Sequence, residues 1–511
     1  MSANESANES ANESANQSAN QDQAVAEWSA LLGSGVVTTA PEDLAALQRN
    51  TTGYAPRTVV AALRPSTVDQ VAAVVRIARA HRVPLYPYST GKNWGLGSRV
   101  PPRDGCALLD LGRLNRIRRV DTKHHYAIIE PGVTQGRLCA YLREQGLPLV
   151  LNVTGSSPAS SVVGNLLERG TGFRNQRTED VRGLEVVLGT GDLVRTGYWA
   201  NDDNDREVHH YRYGMGPYLD GLFTQSNFGV VTSAVVNLVP AQEAMTMLMF
   251  SFPDPRLAEA IDTVSDLFRD GTLRSIVHIF NDKRILTMSS STGVATWTGI
   301  AAVTGSARYV DFVRAEITEA LERCGGSVTF FTAEHLADPE LDPMVRGMFR
   351  LHAGESNEVF MNGLYHTLGD GSDVEDPSDL DSTRYGMLAC MPFLPAAGEA
   401  VTEAVELVEK TCQRYDLVPA IALNPVDADG LESVVNVYFD TTEPGQVANA
   451  HACSAALHRA LYAVGLRFYR VDVENMAYLT AQDTPVWTVA EMIKDALDPD
   501  HVIAPGRYNR V

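Results

Sequence analysis

Pro84-Leu-Tyr-Pro-Tyr-Ser-Thr-Gly-Lys-Asn-Trp-Gly-Leu-Gly-Ser98 runs a short strand straight into a loop with glycines at 91, 95 and 97 among small polar residues. Consecutive backbone N–H groups in such a loop form a concavity for an anion, and glycine lets the chain approach a pyrophosphate closely. The pattern is not the nicotinamide-dinucleotide fingerprint, because Arg99, Pro101 and Pro102 follow where G-x-G-x-x-G must open a helix. It is not a Walker A loop either, since no G-K-[ST] closes it. On this stretch alone a nucleotide site and a simple turn both stay open.

Working outward, residues 58–63 form a β-branched apolar run, and Pro65-Ser-Thr-Val-Asp-Gln opens an amphipathic helix with Val71, Val74, Val75 and Ala78 on one face. The loop therefore closes a strand–helix–strand unit. Short β-like runs follow at 106–111, 126–130, 148–153 and 183–188, with a helix over 133–145. Gly189-Thr-Gly-Asp is a hairpin turn leading to a strand at 192–196, and 228–238 is again strand-like. These segments define one domain over residues 24–240. After Pro240 come a strand at 245–252, helices at 255–268 and 310–324, a loop at 370–381, then strand, helix and strand at 387–392, 399–415 and 433–438. This is an α+β unit over 241–467, with 468–511 returning to the first domain.

Residues 2–21 repeat the tetrad Ser-Ala-Asn-Glu/Gln with no basic or apolar region of a secretory signal. Such a tract buries little apolar surface, so residues 1–23 are expected as a disordered tail. The 511-residue chain is 44% hydrophobic, and no apolar run is long enough to cross a bilayer. Its 63 acidic against 42 basic residues, a formal charge of −21, repel a phosphate backbone and point to a small-molecule partner rather than nucleic acid or membrane. Cys106, Cys139, Cys324, Cys390, Cys412 and Cys453 lie far apart without a C-x-x-C pair, the usage of reduced, buried thiols in a cytoplasmic protein. The adjacent pairs His124-His125 and His209-His210 point to opposite faces of a strand and suit no metal, so they read as surface residues. The acidic run 202–207 reads as a solvated loop.

Three further segments are dense in Gly, Asn, Ser and Thr: Glu130-Pro-Gly-Val-Thr, Val163-Gly-Asn-Leu-Leu-Glu-Arg-Gly-Thr-Gly, and the long run from Tyr213 to Thr232. With the ending Ala496-Leu-Asp-Pro-Asp-His-Val-Ile-Ala-Pro-Gly-Arg they resemble the vanillyl-alcohol oxidase family, which includes 4-cresol methylhydroxylase and eugenol oxidase. The resemblance runs from about residue 55 to 511. It implies an α+β, two-domain PCMH-type FAD-binding fold with a separate α+β cap domain over the substrate, residues 24–240 being the FAD-binding domain. By the resemblance, Ser89, Thr90, Gly91, Lys92, Asn93 and Gly95 wrap the pyrophosphate. Gly132, Val133, Gly155, Gly164, Asn165 and Gly170 line the flavin's remaining path, Val230 sits by the adenosine end, and Arg507 lies near the isoalloxazine ring, where a cation favours the reduced flavin.

Phe468-Tyr-Arg-Val-Asp matches the family segment whose Tyr and Arg hold a phenolate, making Tyr469 and Arg470 the catalytic candidates. A phenolate gives up a benzylic hydride far more readily than a phenol, and a tyrosine hydroxyl beside a guanidinium stabilises that anion. The alternative is a strand pair in which Tyr469 packs and Arg470 pairs with Asp472. The chain departs from the family at three places. Leu96 stands where a third clamp residue, a tyrosine, is usual. Val153-Thr-Gly-Ser-Ser-Pro lacks the family's aspartate near flavin N5, and Thr154 and Ser156 are not bases near neutral pH. Met387 falls on the flavin-linking histidine, so a dissociable FAD is expected, with Tyr385 as the alternative linkage point. His352 and His366 lie in the cap, their facing undecided by spacing. The expectation is an FAD-dependent oxidase or dehydrogenase acting on an aromatic or phenolic alcohol or alkyl side chain, reoxidised by oxygen or another acceptor and forming a homodimer. A flavin enzyme tailoring a larger natural product and a flavoprotein without turnover are the alternatives.

Overall fold

The computed structural model describes residues 3–201, 209–289, 295–362, 364–368, 379–482 and 484–510, of which 3–15, 200, 201, 362 and 366 as backbone only. The acidic run at 202–207 and most of the loop expected at 370–381 lie outside these residues, as does the His366 side chain.

Among the described residues the first domain holds two main sheets and a short two-stranded one. A four-stranded sheet pairs Val37–Thr38, Val59–Leu63, Cys106–Asp110 and Leu85–Tyr88 in that order, the last two junctions parallel. The Val68–His81 helix crosses over between its parallel strands, its start fixed by Thr67, whose hydroxyl accepts from the Gln70 amide. A five-stranded antiparallel sheet carries Val181–Leu188 and Gly229–Asn237 at its centre. Of the strand expected at 148–153 only Leu149–Val150 forms, paired with Val239–Pro240.

The cap is an eight-stranded antiparallel sheet. Alternation along its strands sorts side chains onto two faces. Ile279, Leu423, Val435 and Cys390 point into a core shared with the Leu257–Arg269, Ala307–Arg323, Gly398–Gln413 and Pro444–Ala463 helices. Their chain neighbours Phe280, Ala422, Val434 and Ala389 point the other way, onto a cavity. The cap's apolar stripe thus ties the sheet to its helices and leaves the opposite face for the site.

Two expectations change. Residues 3–32 form one helix, Ala3–Leu32, rather than a tail to residue 23. Its C-terminal part is anchored by fully buried Ala24 and Trp28, and Trp28 Nε1 donates to Val74 O at 3.2 Å. With that packed turn bearing the nucleation cost, a repeat free of Gly and Pro propagates as helix. Residues 468–511 also do not leave the cap at once. Arg467–Arg470 is its edge strand, paired with Tyr385–Pro395, and only the residues beyond Arg470 return to the first domain. The return ends on Ile503, bridged to Leu85 beside the glycine loop.

Candidate active site

The glycine-rich loop faces the inner surface of the cap sheet across a cavity of about 360 Å³. Gly91 has φ +71°, and a Cβ there would lie 2.2 Å from Arg99 Nε, so the loop's shape requires glycine. The loop is tied to the next glycine segment: Thr90 Oγ1 accepts from the Ser161 amide at 3.1 Å, and a Cβ on Gly164 would fall 2.5 Å from Ser89 Oγ. Ser161 Oγ in turn accepts from Gly164 N and donates to Pro131 O.

Ser89, Thr90, Gly91, Lys92 and Asn93 all line the cavity, as do Gly155, Gly164, Asn165, Val230 and Arg507. Gly95, Gly132, Val133 and Gly170 do not. Their places are explained by packing. A Cβ on Gly132 would strike Gly112 O at 2.2 Å, one on Gly170 the Asn165 amide at 2.2 Å, and one on Gly95 would press on Ala389, while Val133 is fully buried in the core. Tyr385 shares a strand face with Met387, Ala389 and Met391, which line the cavity, but is itself not in the lining and packs edge-on against Tyr365.

The cavity's polar groups suit a dinucleotide. Ser160 Oγ and Asn165 Oδ1 are buried in its wall without a partner among the described residues, and the backbone N–H groups of Thr90, Gly91 and Asn93 find no acceptor among them. Unsatisfied buried groups are costly, so their clustering along one wall marks a ligand surface. Arg507 donates to Tyr86 Oη at 2.9 Å and pairs with Glu168, which also accepts from Tyr508. Arg507 and Arg470 together hold the partly buried Glu168 carboxyl below its usual range, against the desolvation that would raise it. The Arg507 charge at this end is therefore already balanced by a carboxylate, which sequence reading did not foresee.

Tyr469 and Arg470 stand beside this group, Gln225 Nε2 reaching both the Glu168 and the Tyr469 carbonyls. Arg470 Nη2 donates to Asn93 Oδ1 at 2.6 Å, joining the clamp to the glycine loop. Its Nε–H is buried without an acceptor among the described residues. The alternative pairing with Asp472 does not form. Asp472 instead caps the Val473–Thr480 helix and accepts from Tyr54 Oη at 2.6 Å. Tyr469 is 9% exposed and its hydroxyl lies near Thr171, whose Oγ1 donates to Glu432 Oε2. Burial pushes the Tyr469 hydroxyl above its ordinary value. Gln225 Nε2 holds the Tyr469 carbonyl at 2.5 Å.

Glu432 was missed in the sequence. It is fully buried, accepts from Gln176 Nε2 at 2.7 Å, and burial pushes its carboxyl up to about 7. The signal for it was the alternation of Gly430–Asp440, in which Glu432 shares parity with Val434 and Asn436, both on the cavity. Leu96, in the clamp tyrosine's place, packs with Ala389, Met391 and Tyr469. Thr154 Oγ1 and Ser156 Oγ bond each other at 2.7 Å, and no carboxylate lies in that segment. In the cap, His278 faces the cavity and burial pushes it down to about 4, so it is neutral at physiological pH. His352, outside the lining, packs against Phe173 at 4.8 Å and against the His278 ring at 6.1 Å. His209, expected on the surface, is buried against Trp199 and Tyr126.

A glycine-loop domain under a sheet cap, with orphaned polar groups along the walls, defines an FAD-dependent oxidoreductase. Comparison with known proteins agrees. Residues 59–197 match the FAD binding domain family. The chain is 32% identical to 1'-carboxy-chondrochloren decarboxylase of Chondromyces crocatus, covering 96% of this chain and 97% of that one. It is 28% identical to the 4-cresol dehydrogenase [hydroxylating] flavoprotein subunit of Pseudomonas putida, over 95% of each. The crystal structure of p-cresol methylhydroxylase with substrate bound superposes with a TM-score of 0.87 at 26% identity, over 96% of this chain and 97% of that one. The chain belongs to the vanillyl-alcohol oxidase / 4-cresol methylhydroxylase flavoprotein family, and FAD is its cofactor. Among the described residues no helix is long and apolar enough to cross a membrane.

Proposed function

We propose that the enzyme oxidises the benzylic carbon of a para-substituted phenol. The observation that carries this reading is the Tyr469–Arg470 pair on the cavity wall, with the buried Arg470 Nε–H lacking an acceptor among the described residues. The names of two relatives, a 4-cresol dehydrogenase and a p-cresol methylhydroxylase, support the substrate class. FAD supplies the two-electron acceptor for a hydride. Ser89–Asn93, Gly164, Asn165 and Arg507 hold it.

The chain's own groups prepare the substrate. The phenol oxygen lies between Tyr469 Oη and Arg470 Nε. Its proton passes from Tyr469 through Thr171 Oγ1 to Glu432, and the phenolate charge is held by Arg470, itself fixed by Asn93. Leu96 removes one clamp donor, which leaves more of that charge to Arg470. Phe173 and Phe360 keep water from the reacting carbon. The cofactor is held without a covalent bond, since Met387 offers no linking atom and Tyr385 is packed on Tyr365. Oxygen or another electron acceptor would take up the electrons that the cofactor collects, and the working form is a homodimer.

The test is an anaerobic visible spectrum of the holoenzyme with a panel of 4-substituted phenols. One or more bleaches the flavin band, and Tyr469→Phe or Arg470→Lys slows the bleaching roughly 10²- to 10³-fold, the cost of losing one charge-stabilising donor. Unchanged rates in both variants would overturn the clamp.

A further inference from the structure

The cavity has a second cationic end. Arg284, on the Asp282–Leu286 helix that follows the His278–Asn281 strand, lines it opposite the Tyr469 edge of the sheet. Among the described residues no carboxylate pairs with Arg284. Its Nη1 donates to Tyr438 Oη at 2.5 Å, its guanidinium lies over the Phe360 ring at 5.5 Å, and its Nε–H is buried without a partner among them. Tyr438 Oη accepts a second time, from Asn436 Nδ2 at 3.2 Å. A hydroxyl that accepts twice has its own O–H left to donate. This end of the cavity therefore presents the Arg284 guanidinium, braced from outside the lining by Tyr438, with no anion among the described residues to receive its free N–H. An uncompensated cation held in a cavity wall is costly unless a ligand's charge completes it.

We infer that Arg284, held in place by Tyr438, forms a subsite for a carboxylate on the side chain of the phenolic substrate. The inference rests on the phenol reading of Tyr469 and Arg470. The sheet order sets the separation. The Tyr438 strand lies two interstrand intervals from the Tyr469 strand, on the order of 10 Å at ~4.8 Å each. A phenol ring carrying a short carboxylic acid spans such a distance with its oxygen at one end and its carboxylate at the other. The reacting carbon then lies between two fixed charges, which orients it without a residue in contact with it.

When the carboxylate sits on the carbon next to the benzylic one, oxidation continues into loss of carbon dioxide. The benzylic C–H bond breaks and its electron pair leaves with the hydrogen as hydride, to the two-electron acceptor of the site. The phenolate becomes a quinone methide. The C–CO2 bond then breaks, its electron pair forming the side-chain double bond and restoring the phenolate, and carbon dioxide departs. That the relative from Chondromyces crocatus is named a decarboxylase of a carboxy compound accords with an acid-bearing substrate here.

The test uses the holoenzyme and three probes: 3-(4-hydroxyphenyl)propanoate, 4-propylphenol, which lacks the carboxylate, and 3-phenylpropanoate, which lacks the phenol. Binding is read from perturbation of the flavin spectrum, and carbon dioxide release is measured separately. Arg284→Gln raises Kd for both acids at least tenfold and changes that for 4-propylphenol less than twofold, with Arg284→Lys between. Equal effects on acids and neutral phenol, or no preference of the parent enzyme for the hydroxylated acid over 4-propylphenol, would overturn the subsite. If 3-phenylpropanoate binds in an Arg284-dependent way while no phenol reduces the flavin, the subsite stands and the phenol reading falls.

Discussion

Glu432 occupies an inward position on a strand whose other inward residues are Val434 and Asn436, and nothing local announces its role. Its carboxyl titrates at about 7 because burial disfavours the charged form, against the help of Thr171, Gln176 and Arg470. Below that pH Glu432 is protonated and cannot take the phenol's proton. Flavin reduction should therefore rise with pH through about 7, and Glu432→Gln should flatten that limb while leaving FAD bound. A stopped-flow pH series on both proteins checks it, and an unchanged limb in the variant would remove Glu432 from the relay. Tyr469 and Arg470 were legible as an adjacent pair in the sequence. Their partners were not: Asn93 is 377 residues from Arg470, and Glu432 is 261 residues from Thr171, which meets it beside Tyr469.

The elements were largely readable because their signals are local. Thr67 capping, the apolar face of Val68–His81 and the strand runs of the cap all follow from periodicity and end residues. The C-terminal helix Pro485–Leu497 shows what periodicity leaves out. Its Lys494 is fully buried and donates to Asp498 Oδ2 at 2.5 Å, Asn227 O at 2.5 Å and Ile503 O at 2.7 Å. Burial pushes this ammonium down to about 8. The staple holds the returning segment that carries Arg507 to the cavity. Lys494→Ala leaves the buried Asp498 without its cation and two buried carbonyls without this donor, a loss of about 3–5 kcal/mol. The expected result is a lower Tm with weakened FAD retention, measurable by calorimetry and by flavin fluorescence. A variant with wild-type Tm would deny the staple its role.

At the scale of the whole molecule the cavity lies between two domains, so its occupant contacts both and links their stabilities. A dissociable FAD binding only the folded state stabilises it by about 4 kcal/mol when present at ~1,000 times its Kd. The Tm of apoprotein should accordingly climb with added FAD, and acid precipitation of holoenzyme should release all of its flavin. A Tm indifferent to FAD, or flavin retained in the precipitate, would instead indicate a covalent link, with Tyr385 the first residue to replace.

The sequence by itself determined what depends on neighbours along the chain: the glycine loop, the strands and helices and which faces they bury, the two-domain order, and the adjacent Tyr469 and Arg470. The tertiary structure alone decided which faces meet. It balanced Arg507 with Glu168, set Glu432 behind Tyr469, left Arg284 without a carboxylate among the described residues, and extended a polar repeat as helix from the anchor at Trp28. Periodicity fixes a side chain's direction within its own element, whereas charge compensation and desolvation depend on groups brought together from distant parts of the chain.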